Sequence, residues 1–193
     1  MPALPKTYFT PEQYLALERE AEHKSELVNG QIYAISGASR EHILIATNLI
    51  SEINTQFKGK PCETYGSDMR VKVSPSGMYT YPDVTIACNG PRFEDDHVDT
   101  LLNPTVIVEV LSPSTEAYDR GEKFAHYRKL ASLSDYVLVS QDKPRIEHYV
   151  RHPDDPSRWV LTEISGLDSV LRLASIGCEV ALSEIYDRVS LPG

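Results

Sequence analysis

Two short apolar stretches, residues 81–87 and 104–115, constrain the possible fold of this chain more than any other feature. They read YPDVTIA and PTVIVEVLSPST. Both are rich in β-branched residues and are bounded by Pro, Asn or Gly, which predicts two buried strands. Each stretch contains one carboxylate, Asp83 in the first and Glu109 in the second. Because an unpaired buried carboxylate is costly, each acid is expected to have a cationic partner.

The positions of these two acids suggest a metal site. Asp83 falls near the start of its predicted strand and Glu109 near the end of its own. If the strands pair in antiparallel fashion, the two residues become neighbours. Two carboxylates that face one hollow form a hard-oxygen site suited to Mg²⁺ or Mn²⁺. The pattern alone leaves an alternative open, in which Asp83 caps a helix and Glu109 is an ion-paired edge residue.

Length and charge set the general class of the protein. With 193 residues, the chain is most simply a single domain, 1–193, that is long enough to bury a core. Its 41% apolar and 24% charged residues are ordinary for a globular chain. The net charge of −9 argues against a broad electrostatic contact with nucleic acid, although it leaves room for a local basic face.

Segment composition and cysteine use predict a cytoplasmic protein with no membrane association. No apolar run is long enough to span a bilayer, and the N-terminus lacks a secretory apolar segment. Cys62, Cys88 and Cys178 are far apart and odd in number. Their spacing matches no zinc motif and favours a reducing compartment.

The N-terminal third predicts a helix, a hairpin and a second helix. Thr10 begins a capping box with Pro at the first helical position, and this helix runs to about residue 19. The dipeptide Asn29-Gly30 favours a type I′ turn between strands at 25–28 and 31–35. Ser39 is expected to cap a helix to about residue 57. Its apolar positions recur at helical spacing and predict the buried face Ile43, Ala46, Ile50, Ile53 and Phe57.

Basic residues that could contact nucleic acid fall in two places. Arg70 and Lys72 share one face of a predicted strand at 69–73, and Arg120 and Arg128 lie on a helix predicted from Pro113 to about residue 130. An acidic loop at 94–99 is expected to be a solvated face. Further strands are predicted at 135–140, 145–150, 158–164 and 169–173, with a terminal helical turn at 182–189. The absence of repeats and low-complexity segments supports a single domain.

An ordered set of segments resembles the Uma-two family, described as putative restriction endonucleases and belonging to the PD-(D/E)XK nuclease superfamily. The segments are Tyr81-Pro82-Asp83, 108–115, 26–30, His42, Asp119 with Lys123 and Tyr127, 135–139 and 182–186. The resemblance implies an α/β (α+β) fold. Its core would be a restriction-endonuclease-like mixed central sheet flanked by helices, with an N-terminal hairpin and C-terminal strand additions. It also implies Mg²⁺-dependent hydrolysis of DNA phosphodiesters.

The same resemblance assigns roles to individual residues. It implies that Asp83 and Glu109 bind the metal, with the Val110 backbone carbonyl as a further ligand. The superfamily lysine usually lies two residues after the glutamate, but this chain has Leu111 there. Lys123, on the helix that follows, is expected to replace it by pointing over Glu109 towards the metal.

Three further residues are expected to support this site. Tyr127, one helical turn after Lys123, could orient the lysine, contact phosphate or simply pack against the sheet. The resemblance implies that Glu26 approaches Asp83 from the hairpin. His42 is a supporting candidate, although a histidine in the first turn of a helix is usually a polar surface or capping residue.

Three functions remain open on the sequence. The leading one is a Mg²⁺-dependent DNA endonuclease, which could act as a homodimer on both strands. The missing lysine at Leu111 and the charge of −9 favour a catalytically degenerate nuclease fold used for binding or scaffolding. A metal-dependent hydrolase of a small phosphorylated substrate is the third.

Overall fold

The structure is a computed structural model that describes residues 8–73 and 77–192. The helices are α1 (Pro11–Glu18), α2 (Arg40–Gln56), α3 (Glu116–Tyr118), α4 (Phe124–Tyr127) and α5 (Leu182–Ile185). A π-helical segment spans Asp119–Lys123, and a 3₁₀ turn spans Ala174–Ile176. The strands are β1 (Ser25–Val28), β2 (Gln31–Ala34), β3 (Cys62–Gly66), β4 (Arg70–Val73), β5 (Met78–Thr80), β6 (Val84–Cys88), β7 (Thr100–Leu101), β8 (Val106–Leu111), β9 (Asp135–Ser140), β10 (Arg145–Arg151), β11 (Trp159–Ser165), β12 (Val170–Leu173) and β13 (Cys178–Ala181). None of the helices in the described ranges combines the length and apolar character needed to cross a bilayer.

A six-stranded mixed sheet forms the centre of the fold, in the order β11-β10-β9-β8-β6-β3. Strands β8 and β9 run parallel, whereas the other neighbours run antiparallel. All six residues of β8 are buried, as expected for a β-branched strand covered on both faces. The predicted mixed central sheet is therefore confirmed.

The predicted N-terminal hairpin is part of a second, five-stranded sheet in the order β2-β1-β5-β4-β7. The two very short strands β5 and β7 were not predicted from sequence. The strand predicted at 81–87 begins only at Val84, because Pro82 has no amide hydrogen to donate to a ladder. Asp83 consequently lies in the bend that connects β5 of the second sheet to β6 of the central sheet.

Helix α2 packs on the central sheet, and its buried face differs from the predicted one. The fully buried positions are Ile45, Leu49 and Ile53, whereas Ile43 is 54% exposed. Ala46 and Ile50 are only partly buried beside this core. The apolar residues of α2 form a broad stripe, and spacing alone did not reveal which edge of the stripe faces the sheet.

The helix predicted from Pro113 to about residue 130 is not continuous. It is divided into α3, the π-helical segment and α4. A π turn inserts an extra residue into the helical ladder and is common at functional sites. In this chain it contains two buried charged side chains, Asp119 and Lys123, which the wider turn directs towards the central sheet.

The cysteines also differ from expectation. Cys62 and Cys88 lie opposite each other on the paired strands β3 and β6 and form a disulfide, and Cys178 is a buried free thiol. Their distance in sequence concealed this pairing, because it depends on the strand register.

Candidate functional site

The antiparallel pairing of β6 with β8 brings the two predicted acids together. Val84 is opposite Val108, so Asp83 and Glu109 follow at the next position of the same register. The Asp83 carboxylate accepts a hydrogen bond of 2.7 Å from the Val110 backbone N–H. Its other oxygen lies 2.8 Å from Nε2 of His42, at the start of α2. Asp83 is thereby fixed between the central sheet and α2.

Glu109 lies deeper than Asp83 and is only 4% exposed. Its Oε1 atom accepts a hydrogen bond of 2.8 Å from the Tyr127 hydroxyl. The same atom lies 2.9 Å from Nζ of Lys123. Burial raises the pKa of Glu109 well above its ordinary value, although the ammonium group of Lys123 opposes this shift.

Lys123 lies at the centre of an acidic cluster. Besides Glu109, its Nζ atom is 3.5 Å from Glu26 and 3.6 Å from Asp119. Burial by itself would lower the pKa of Lys123, but the surrounding carboxylates, above all Glu109, raise it well above its ordinary value. The amine of Lys123 thus lies at the position over Glu109 that the sequence predicted, 2.9 Å from its carboxylate.

Glu26 reaches this cluster from the hairpin. Its Oε1 atom accepts hydrogen bonds from the Thr80 hydroxyl and, at 3.3 Å, from the Tyr81 backbone N–H. The structure thus places Glu26 beside Lys123, and the approach of Glu26 to Asp83 stays a prediction. Both acids line the same cleft.

Two residues of this cluster were not assigned a role in the site from the sequence. Asp119 lies four residues before Lys123, a spacing typical of a surface ion pair, yet it is only 3% exposed and burial raises its pKa. Tyr118 also lines the cleft, and its buried hydroxyl has no hydrogen-bond partner within residues 8–73 and 77–192. No sequence pattern pointed to Tyr118.

The oxygen donors are suited to a divalent ion. Asp83 and Glu109 supply hard carboxylate oxygens, and Val110 lines the same cleft. Mg²⁺ is commonly held by one or two carboxylates while it keeps several waters, so a small donor set fits it. In the described part of the chain, no three His, Cys, Asp or Glu side chains are grouped as a complete metal site. The fit therefore depends on two carboxylates and a backbone carbonyl.

The first basic pair is engaged in ion pairs, which corrects the expectation of a positive patch. Arg70 is 3% exposed and lies 2.8 Å from Asp99 of the acidic loop. Lys72 forms an ion pair with Glu94 of the same loop. The loop predicted to be solvated thus neutralises both cations.

The second basic pair is divided. Arg120 lies 2.6 Å from Glu116 and 3.0 Å from Glu147, so its charge is balanced. Arg128 is exposed. Of the four predicted nucleic-acid contacts, only Arg128 is exposed and has no ion pair with a described residue.

The comparison with a solved structure agrees with this architecture. The crystal structure of a putative nuclease belonging to DUF820 from Anabaena variabilis ATCC 29413 superposes with a TM-score of 0.75. The match covers 94% of this chain and 99% of that chain at 17% sequence identity, which establishes the fold. A mixed sheet with flanking helices and this structural neighbour define a restriction-endonuclease-like fold.

Sequence comparison then identifies the family. The Uma2 family, described as "putative restriction endonuclease", matches residues 11–183, and the chain belongs to it. The uncharacterized protein slr1290 of Synechocystis sp. is 38% identical over 185 residues, covering 96% of this chain and 95% of that protein. The uncharacterized protein sll1609 of the same organism is 37% identical over 157 residues, with 81% and 88% coverage.

Proposed function

We propose that this protein is a divalent-metal-dependent endonuclease that hydrolyses nucleic-acid phosphodiester bonds. The observation that carries the proposal is the distance of 2.9 Å between Nζ of Lys123 and Oε1 of Glu109. This contact supplies the cation that the superfamily motif places at the position of Leu111. Membership of a family of putative restriction endonucleases supports the same reaction class.

Asp83, Glu109 and the Val110 carbonyl would hold Mg²⁺ or Mn²⁺. When bound, such an ion lowers the pKa of a coordinated water and stabilises the negative charge that develops on the phosphate. Asp83 is already oriented for this role by His42 and by the Val110 N–H, at 2.8 and 2.7 Å. Because both contacts fix the carboxylate before any ligand arrives, binding costs little rearrangement.

Lys123 and Tyr127 both act through the Oε1 atom of Glu109. The Tyr127 hydroxyl donates to Oε1 of Glu109 at 2.8 Å and fixes the rotation of the carboxylate. The ammonium group of Lys123 offers hydrogen-bond donors at the base of the cleft, where they can orient the attacking water or a phosphate oxygen. All of these groups come from one chain, so cleavage of one strand needs one copy of the protein.

A catalytically degenerate nuclease fold that binds without cutting is the second candidate. The specific observation in its favour is that Arg70, Lys72 and Arg120 are all neutralised by carboxylates. In this case Lys123 would serve as a structural counterion for the buried acids. The two candidates differ in whether metal-dependent strand cleavage occurs.

The test is nicking of supercoiled plasmid in Mg²⁺ or Mn²⁺, with EDTA as the metal-free arm. Asp83→Asn and Glu109→Gln should each lower the nicking rate by about 100-fold or more, because each removes a charged metal ligand. Asp96→Asn is the matched control, since Asp96 is exposed and lies outside the cleft. Wild-type protein that binds the ion but never nicks would support the degenerate fold.

A further inference from the structure

One wall of the candidate site is apolar and open to solvent. Tyr33 is paired with Glu26 in the β1–β2 register, so its side chain lies on the face that points to the acidic cluster. Tyr33 is 52% exposed, Ile35 37% and Ile43 54%, and all three line the same cleft as Asp83 and Glu109. An aromatic ring and two aliphatic side chains are thus exposed beside the candidate catalytic acids.

The cations of the cleft are already neutralised. Lys24 and Lys123 are its only lysines, and no arginine lines it within the described ranges. Lys24 lies 2.9 Å from Asp68, and Lys123 is buried among three carboxylates. Duplex DNA is held mainly by lysine and arginine contacts to its phosphates, and the walls of this cleft offer few such contacts.

The size of the cleft is a second constraint. Its volume is about 930 Å³. This volume lies in the range of pockets that bind a ligand of a few rings. A strand with splayed bases can insert one or two nucleotides into such a space.

We propose that this site, if it is the nuclease centre proposed above, acts on nucleic acid with unpaired bases, and that Tyr33 stacks on a base beside the scissile phosphate. Binding of single strands relies on base–aromatic stacking, which tolerates any sequence because every base has a π face. Ile35 and Ile43 extend the apolar wall on which the neighbouring base packs. Stacking of the bases thereby supplies binding energy that the cleft lysines, already in ion pairs with carboxylates, do not.

The test compares substrates of one sequence: a single-stranded DNA, a single-stranded RNA, the DNA duplex and a duplex with a single-stranded flap. Cleavage in Mn²⁺ should be at least about tenfold faster on the unpaired substrates than on the blunt duplex. The DNA and RNA arms identify the sugar. Equal or faster cutting of the duplex would overturn this inference and leave the nuclease proposal intact.

Substitutions test the stacking role directly. Tyr33→Ala should raise KM for the single strand by about tenfold, because a stacked base contributes about that factor in affinity. Tyr33→Phe keeps the ring and loses only a hydroxyl that donates to Gln31 at 2.9 Å, so it should behave like wild type. Leu161→Ala is the control, since Leu161 is equally exposed at 52% but lies on β11 outside the cleft. A Tyr33→Ala enzyme with the KM of the control would refute the proposal.

Binding separates this inference from the proposed activity. If no substrate is cut, the nuclease proposal fails. Fluorescence anisotropy of labelled single strands and duplexes then still tests whether Tyr33 binds unpaired bases. Tighter binding of single strand than of duplex, weakened by Tyr33→Ala but not by Tyr33→Phe, would support the stacking surface without catalysis. Equal affinity for single strand and duplex, or an affinity for single strand that Tyr33→Ala does not change, would exclude the stacking surface.

Discussion

Replacing Lys123 by methionine tests the most unusual contact of the structure. Methionine keeps the length of the side chain and removes its charge. The substitution leaves Glu109, Glu26 and Asp119, which lie within 3.6 Å of the ammonium group, without their shared cation. Stability should fall because the ammonium group of Lys123 balances the charge of the buried acids. Activity should fall because the same ammonium group lines the cleft.

The expected loss of stability follows from distance and burial. At 2.9 Å and an effective dielectric constant of about 20, the attraction between Lys123 and Glu109 is about 6 kcal/mol before desolvation is counted. Much of it offsets the cost of burying both charges. Truncating one partner of a buried pair typically costs about 3–5 kcal/mol, because the other charge stays buried without compensation. That is a large share of the total stability of a domain, about 5–15 kcal/mol.

The assay is urea unfolding followed by circular dichroism, with Lys129→Met as control. Lys129 lies just beyond α4 and is exposed, so its substitution should change the free energy of unfolding by less than about 0.5 kcal/mol. The double variant Glu109→Gln/Lys123→Met should regain part of the loss, because it removes a charge that lacked a partner. A loss below about 1 kcal/mol in Lys123→Met would refute the view that this lysine compensates buried acids.

Two further substitutions probe neighbouring contacts. The hydrogen bond from Arg19 is the largest effect on Asp99 and lowers the pKa of its carboxyl group. The ionised carboxylate therefore contributes its full stabilisation of the fold above the unfolded pKa of about 4. This contribution disappears as the pH falls through the folded pKa. Asp99 also pairs with the buried Arg70, so Asp99→Asn should lower the free energy of unfolding by at least about 1 kcal/mol at pH 7 and by less at pH 2–3. The measurement is urea titration against Asp96→Asn, and equal effects of both substitutions would contradict the loop contact. Tyr127→Phe should cost about 1.5–3 kcal/mol, because its hydroxyl donates to the carboxylate of Glu109, and an unchanged thermal midpoint would exclude that bond.

The strand pattern was sufficient to predict which two acids become neighbours. The sequence made them neighbours on the condition that the two strands pair in antiparallel fashion. The antiparallel register places Asp83 and Glu109 together, as predicted. The helical spacing of Lys123 and Tyr127 was also informative. Residues four apart lie on one side of a helix, and both side chains contact Glu109.

Contacts between distant segments could not be read from local patterns. Glu26 lies 54 residues before Thr80 in the chain, and their hydrogen bond depends on how β1 pairs with a three-residue strand. The partners of Arg70 and Lys72 lie in a loop without regular spacing. Propensities describe single segments, whereas these pairs arise from the arrangement of two sheets.

The most direct test of the account is calorimetric titration of the protein with Mn²⁺, which measures the metal centre without depending on any substrate. The account predicts that wild-type protein and Asp96→Asn bind the ion, and that Asp83→Asn and Glu109→Gln each lose most of the affinity. Binding of Mn²⁺ to Asp83→Asn as tightly as to wild type would contradict it.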